Sequence, residues 1–295
     1  MRGARLAVLA PTIDAPELGE AVGDDAGRRE RTRVRRERML TVGAPLLLLI
    51  VALGSWELFV RIQQVPPYIL PAPSLVLQTL WTKWPSLQSS LLFTVKLTLL
   101  ALVLAVIGGV ALGTLFALSR TVEVSLFPYA VILQVTPIIA IAPLIMIYVD
   151  SVMGALLICA WIVAFFPILS STVIGLRSAD HNLRDLFTLY RASSWQRFRL
   201  LLAPSALPFF LSGLKVSGGL ALIGAVVAEF VAGAAGKETG LASRIFEASF
   251  RSDIPLMFAA LLLVSLCGIV IFLVTSWVSR KVLGHWHESE LKRER

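Results

Sequence analysis

Cysteine, histidine and charged residues are all scarce in this chain of 295 residues. Its two cysteines, Cys159 and Cys267, lie inside apolar runs, which excludes a disulfide framework and a metal site built on thiolates. His285 and His287 form a spaced pair near the C-terminus, where a solvated tail is a simpler interpretation than a metal site. The sequence contains no Ser/His/Asp set, no HExxH pattern and no paired carboxylates at a shared depth in its apolar runs. It therefore favours neither a catalytic nor a metal centre, and we expect no cofactor in this chain.

A nucleotide-binding loop is missing as well. The segment GAAGKET at 233–239 has some likeness to a Walker loop, but that motif needs glycine where Val231 stands and serine or threonine where Glu238 stands. We interpret the segment as a periplasmic turn before a surface helix at about 240–250. No other nucleotide-binding motif is present in the sequence, so any ATP hydrolysis on which this chain depends belongs to a separate polypeptide.

Long apolar runs are what the chain has in abundance. Apolar residues make up 57% of it and charged residues 16%, against about 25% charged in soluble domains, and its mean hydropathy is +0.80. A helix that crosses a membrane needs about 20 mostly apolar residues. Six runs reach that length and predict an all-α membrane protein with six transmembrane helices, at 42–62, 89–117, 125–148, 153–175, 207–232 and 256–280.

The basic residues predict how these spans are oriented. The net charge is +8, but the charges cluster at the ends of apolar runs, so we expect membrane lipids rather than nucleic acid as partners. Twenty Lys and Arg residues fall on the side that holds both termini and the loop at 176–206, and five fall on the other side. Positive charge accumulates on cytoplasmic loops, so both termini and this loop are expected in the cytoplasm. The expected domains are a basic, largely disordered tail at 1–40, a membrane domain at 41–284 and a tail at 285–295.

The segment VPPYILPAPS precedes a predicted helix between the first two spans. Ser74 is expected to cap that helix, which would carry Trp81 and Trp84. Tryptophan is typical of the headgroup zone, so interfacial anchoring is the simpler function for this segment, with docking of another protein as the alternative.

A polar stretch from Gly175 to Pro208 interrupts the apolar pattern and carries five arginines but no lysine. Its apolar residues recur at helical spacing, which predicts two short amphipathic helices. Ser193 and Gln196 have the spacing of a capping box at the start of the second helix, and Pro204 and Pro208 are expected to end it. Such a hairpin with aromatic residues at its tip has the shape of a knob that another protein grips. The expected apolar faces are Leu183, Leu186, Phe187 and Tyr190 in the first helix, and Trp195, Phe198, Leu201 and Leu202 in the second.

This stretch resembles the EAA loop of permease subunits of bacterial ATP-binding-cassette importers. Asp185 stands where that family usually has glutamate, and Ala192 and Pro204 match the family pattern directly. The resemblance extends across roughly 65–285 and is strongest to the nitrate, sulfonate and taurine branch, which also includes importers of pyrimidine precursors. The other motifs that carry it are LPAPS at 70–74, PIIAIAPLI at 137–145, FFPIL at 165–169 and GGLALIGAVVAEF at 218–230.

The loop departs from the family pattern at three positions. Leu186 and Phe187 replace a pair of small residues, and Arg191 replaces the glycine that usually eases the turn between the two helices. Either Arg191 adopts a backbone conformation that favours glycine, or the turn is built differently.

The resemblance implies a permease subunit of the bacterial inner membrane that forms a homodimer, with the substrate path on the two-fold axis and lined chiefly by spans three to six. Each hairpin would sit in a groove on an ATPase dimer that binds Mg-ATP, and a periplasmic or lipoprotein binding protein would deliver a small polar solute. The implied coupling residues are Asp185, Leu186, Phe187, Tyr190, Arg191, Ala192, Ser193, Trp195, Phe198 and Pro204. The candidate path residues are Gln134, Thr136, Pro137, Lys215, Ser217 and Glu229.

The candidate path residues rest on different observations. Pro137 is expected to kink the third span, since a proline in a membrane helix frees carbonyl groups. Lys215 lies inside the fifth span, where it either lines the path or extends its amine toward the cytoplasm. Glu229 lies near the outer end of that span and is expected to tune a gate or the periplasmic surface.

Two other classes of function remain open from the residues alone. A secondary transporter or channel would transport without an ATPase, although the chain has no visible inverted repeat. A membrane scaffold would use the hairpin as a docking site and transport nothing.

Overall fold

The computed structural model describes residues 43–236 and 240–284. The tails expected at 1–40 and 285–295, including the paired histidines, lie outside the described residues. The described residues form α1 (Ala44–Ile62), α2 (Pro73–Thr82), α3 (Trp84–Leu118), α4 (Arg120–Val135), α5 (Ile138–Tyr148), α6 (Val152–Arg177), α7 (His181–Leu189), α8 (Ser194–Arg197), a π-helix (Phe198–Leu202), α9 (Ala203–Ala234), α10 (Leu241–Phe250) and α11 (Ile254–Leu283).

The helix lengths confirm an all-α membrane fold. In the described part of the chain, α1, α3, α6, the continuous stretch Ser194–Ala234 and α11 are each long and apolar enough to cross a membrane. The third predicted span differs, because α4 and α5 meet at an angle of 102°. Thr136 and Pro137 both have extended backbone at this junction. Proline has no N–H to continue the helix, and the kink expected at Pro137 is therefore a complete break.

Helix α1 is a unit by itself. Within it Val60 is the buried residue, and the leucines of its first half are exposed. Pro45 stands in its first turn, where a missing N–H costs no hydrogen bond.

Helix α6 is the centre of the second unit and packs against α3 and α9 through small residues. A side chain at Gly213 or Gly224 of α9 would overlap Ser171 or Ala160 of α6, respectively. These glycines let the two backbones approach closely, which is how membrane helices associate without a hydrophobic driving force. The two helices therefore pack closely at these positions, whereas Gly219 has nothing within 4 Å.

Helices α2, α10 and the start of α11 form a second packed layer against the beginning of α3. Its buried residues include Val76, Leu87, Leu241 and Leu263. An ion pair between Lys83 and Asp253 joins the α2–α3 junction to the start of α11. The surface helix expected at about 240–250 is therefore confirmed.

Two details of the segment between the first two predicted spans differ from expectation. Helix α2 is preceded by Ala72 as its N-cap residue and has Pro73 in its first turn, so Ser74 does not cap it. Trp84 begins α3 instead of lying on α2, because Lys83 interrupts the helix between them. Trp81 does lie on α2, and 85% of it is exposed.

Candidate functional site

The first helix of the hairpin, α7, begins with a side-chain cap. The carboxylate of Asp180 accepts hydrogen bonds from the N–H groups of Asn182 and Leu183, at 2.7 and 3.3 Å. These bonds satisfy amides that have no partner inside the helix. Asp185, at the position of the family glutamate, is exposed, with one oxygen 3.2 Å from Nδ1 of His181.

The turn after α7 is built around Arg191, which has a φ of 50°. The N–H of Arg191 donates to the carbonyl of Thr188 at 3.0 Å, and the N–H of Ala192 donates to the carbonyl of Phe187 at 2.9 Å. This pair of bonds defines a Schellman motif, in which the residue with positive φ is usually glycine. Of the two expectations for Arg191, the structure therefore has the less favoured backbone conformation.

The second helix begins with the expected capping box. Gln196 donates its N–H to Oγ of Ser193 at 3.2 Å, and the N–H of Ser193 donates to Oε1 of Gln196 at 2.8 Å. The rings of Trp195 and Phe198 stack with their centroids 6.0 Å apart. Both ends of the turn are thus fixed by local hydrogen bonds.

The expected end of the second helix at Pro204 and Pro208 is wrong, because helix continues from Ser194 to Ala234. The chain passes through the π-helix Phe198–Leu202, where the N–H of Ala203 donates to the carbonyl of Phe198, five residues earlier. Pro204 then falls in the first turn of α9 and Pro208 inside that helix. A π-turn next to a proline lets a helix continue with altered hydrogen bonding. The hairpin is consequently a direct extension of a membrane span.

The tip of the hairpin exposes apolar and aromatic side chains. Tyr190 is 78% exposed and Trp195 66% exposed, while Phe187, Ala192 and Phe198 are half-buried. Leu189, which the spacing argument missed, is also exposed. A cluster of this kind on a polar loop is typical of a surface that another protein covers. We call this cluster the apolar tip; it comprises Leu183, Leu186, Leu189, Tyr190 and Trp195.

Arginines tie the base of the hairpin to the membrane helices. The guanidinium group of Arg184 donates to the carbonyls of Leu176 and Arg177, at 3.1 and 2.9 Å, and so caps the end of α6. Arg177 in turn makes two hydrogen bonds with the carboxylate of Glu123, at 2.9 and 2.7 Å. The sequence analysis did not identify Glu123. The one pattern that could have indicated it is an acidic residue in the first turn of a helix whose N-cap residue is Ser119.

The candidate path residues fall into two groups. Gln134 and Pro137 are exposed at the break between α4 and α5, and Thr136 donates its hydroxyl to the carbonyl of Ile132 at 2.6 Å. Lys215 is half-buried on α9. Ser217, in contrast, is buried and donates to the carbonyl of Ala164 on α6 at 2.6 Å, while Glu229 is also buried.

Glu229 holds together the packed layer that α2, α10 and the start of α11 form against α3. Its Oε2 accepts hydrogen bonds from the hydroxyl of Thr94 on α3 and from the N–H of Ala242 on α10, each at 3.0 Å. Thr94 also accepts from the N–H of Leu241, at 2.9 Å. The carboxylate therefore lies at the N-terminus of α10, where the helix dipole favours negative charge. A side chain at Gly240 would overlap this carboxyl group, which would have to shift and strain the hydrogen bonds that it accepts.

The model of one known family matches residues 105–284, which is more than half of the chain: the binding-protein-dependent transport system inner membrane component. The chain belongs to this family. The matched segment runs from the middle of α3 through α11 and includes the whole hairpin.

Several relatives of this permease cover most of its length. A probable ABC transporter permease protein of Haemophilus influenzae is 30% identical over 239 residues, which are 81% of this chain and 96% of the relative. The riboflavin transport system permease protein of Chloroflexus aurantiacus is 33% identical, with 84% and 91% covered. The formylaminopyrimidine transport permease protein of Halalkalibacterium halodurans is 32% identical, with 77% and 90% covered. Permeases named for aliphatic sulfonates and for nitrate match as well, which confirms the expected branch.

Solved structures share the fold. An inward-facing structure of the MetNI methionine ABC transporter aligns with a TM-score of 0.56 at 18% identity, over 66% of this chain and 95% of the other. The family and these relatives establish the chain as a multi-pass permease subunit of an ABC importer of the inner membrane. The family description names binding-protein-dependent transport and the relatives are named as ABC permeases, which imply a binding protein and an ATPase as partners and do not favour a secondary transporter or channel.

Proposed function

We propose that the apolar tip of this permease seats in a groove on a separate ATPase subunit, and that ATP hydrolysis there drives import of a small polar solute. The tip is carried by a hairpin whose turn is fixed by the Schellman motif and the capping box. The second helix of the hairpin continues into α9 without a break. A push on the tip therefore reaches a membrane span through continuous helix, and this continuity is the observation that carries the proposal.

The distribution of charge supports a cytoplasmic hairpin and cytoplasmic termini. Orientation is set by Lys and Arg residues near the ends of the spans, whereas Asp and Glu contribute little to it. Twenty Lys and Arg residues lie on the side that holds the hairpin and both termini, and five lie on the other side. The packed layer of α2, α10 and the start of α11 is then the outer layer. An ATPase in the cytoplasm can reach that side.

The proposed assembly contains two copies of this permease around a shared path. The break between α4 and α5 exposes Gln134 and Pro137. Substrate sites of transporters are often formed by discontinuous membrane helices of this kind, and each copy would contribute one. Lys215 would add positive charge to that path. Sulfonate, nitrate, taurine and pyrimidine-precursor compounds fit this proposal, and sulfonates, nitrate and a formylaminopyrimidine appear in the names of the relatives.

Reconstituted uptake tests the proposal. The permease is placed in proteoliposomes with the ATPase that co-purifies with it and a candidate binding protein, and with each partner omitted in turn. Uptake that requires both partners and ATP supports the proposed function, whereas uptake by the permease alone contradicts it.

Charged substitutions at the tip test the docking surface. Tyr190→Asp or Trp195→Asp would bury an unpaired carboxylate in the groove, and we expect co-purification of the ATPase to fall at least about 30-fold, as for loss of an interface hot spot. Trp81→Asp is the matched control, because Trp81 is even more exposed but lies in the outer layer. Unchanged co-purification of both tip variants would contradict the docking site.

A further inference from the structure

We infer that the Glu123–Arg177 ion pair is a positioning link that carries movement of the hairpin to the broken helix pair α4–α5. This inference rests on the proposed function, because it assigns the route by which a push on the hairpin reaches the exposed break at Pro137. The ion pair lies outside the apolar tip and outside the candidate path residues.

The link begins at the hairpin. Arg184 lies on α7, and its guanidinium group holds the last carbonyls of α6 at 2.9 and 3.1 Å. Charge-assisted hydrogen bonds of this length are stronger than neutral ones. Helix α7 and the end of α6 therefore move together, and Arg177 is the last residue of α6.

The second step joins α6 to α4. Nη1 and Nη2 of Arg177 each bond a different oxygen of Glu123, and Nη2 also lies 3.4 Å from the carbonyl of Phe116 at the end of α3. Two parallel bonds fix the direction of the carboxylate as well as its distance. The side chain of Glu123 is 12% exposed and that of Arg177 is 43% exposed, so the carboxylate is largely shielded from water while the guanidinium group is partly open to it.

Helix α4 has little else to hold it. Within this described helix Ala130 is the buried residue, and Phe127 makes edge contacts with Phe116 and Phe166 at centroid distances of 6.3 and 6.5 Å. A helix with so little buried surface takes its position from its polar contacts. Helix α4 has 16 residues and is about 24 Å long, and it remains helical through Pro128 in its interior, so displacement of its first turn is passed along continuous helix to the break at its other end.

A double-mutant cycle tests the link in the reconstituted importer. We expect Glu123→Gln and Arg177→Gln each to lower solute uptake per ATP hydrolysed about 10-fold, with unchanged co-purification of the ATPase. The double variant is expected to lose about the same 10-fold and not the product of the two losses, because either change alone breaks the pair. The inference would be overturned if the double variant lost the product of the two single losses, or if both single variants kept the wild-type uptake per ATP hydrolysed.

Arg120→Gln is the matched control. Arg120 also bonds the carboxylate of Glu123, at 2.9 Å, but it is 78% exposed and lies on α4 itself, so it connects no second helix. We expect the uptake ratio of this variant to stay within about 2-fold of wild type, since exposed pairs contribute little. A loss as large as that of Glu123→Gln would show that charge at this surface matters and the link does not.

A distance measurement without any ATPase keeps the inference separate from the proposed function. Spin labels are attached to cysteines introduced at Val124 on α4 and Asn182 on α7, in a chain whose Cys159 and Cys267 are replaced by alanine. We expect Glu123→Gln to broaden the distance distribution and Arg120→Gln to leave it unchanged. An unchanged distribution in Glu123→Gln overturns the link, whatever the uptake assay shows about the function.

Discussion

Arg191→Gly gives the sharpest test of the hairpin turn. Arg191 has a φ of 50°, a left-handed conformation that costs a residue with a side chain roughly 1–2 kcal/mol. Glycine adopts it without that cost but loses about 0.5–1 kcal/mol through its greater freedom in the open chain. The net expectation is that Arg191→Gly stabilises the closed turn by about 1 kcal/mol, which is about 5-fold in the opening equilibrium.

Hydrogen exchange at the amide of Ala192 measures this change, because that amide donates across the turn to the carbonyl of Phe187. We expect exchange in Arg191→Gly to slow about 5-fold after correction for the neighbouring residue. Arg191→Ala is the control, since it removes the charge but keeps a side chain at positive φ, and no slowing is expected. Equal slowing in both variants would show that charge and not backbone conformation limits the turn, and would refute the reasoning.

Three further changes test the outer layer, the path and the cap. Gly240→Ala forces a methyl group against the buried carboxyl of Glu229 and is expected to destabilise the permease by about 1–3 kcal/mol, measured by thermal unfolding. Gly219 lies in open space, so Gly219→Ala is the control and is not expected to destabilise the protein. Equal unfolding temperatures of the two variants would contradict the packing. Lys215→Met is expected to change uptake without loss of protein if Lys215 lines the path, and wild-type uptake would instead indicate an amine that extends toward the cytoplasm. Ser193→Ala removes the capping box and is expected to destabilise the second hairpin helix by about 0.5–2 kcal/mol, measured by exchange of its first amides; unaltered exchange would argue against the cap.

Local interactions made the hairpin predictable from sequence. Ser193 and Gln196 are three residues apart, and their capping box depends on no distant part of the chain. The conformation of Arg191 was foreseeable as one of two options, because a residue other than glycine stood in a turn. The continuity of the second helix was not foreseeable, since it depends on the π-turn that accommodates Pro204 and Pro208.

Contacts between distant residues could not be predicted in the same way. Glu229 bonds Thr94, 135 positions away, and Arg177 bonds Glu123, 54 positions away. Apolar spacing places each residue on a helix but does not say which helices meet. Likewise Pro137 predicts a weakness in the third span but does not fix the 102° angle at which α4 and α5 meet.

The most direct test of the account is which side of the membrane the apolar tip faces and what covers it. Tyr190→Cys is labelled with a membrane-impermeant thiol reagent in intact cells and in inverted membrane vesicles, with Trp81→Cys as the control for the outer layer. The account predicts labelling of Tyr190→Cys only in inverted vesicles, with protection when the ATPase is present, and the opposite sidedness for Trp81→Cys. Labelling of Tyr190→Cys in intact cells would contradict the proposal that this hairpin couples an ATPase to the membrane helices.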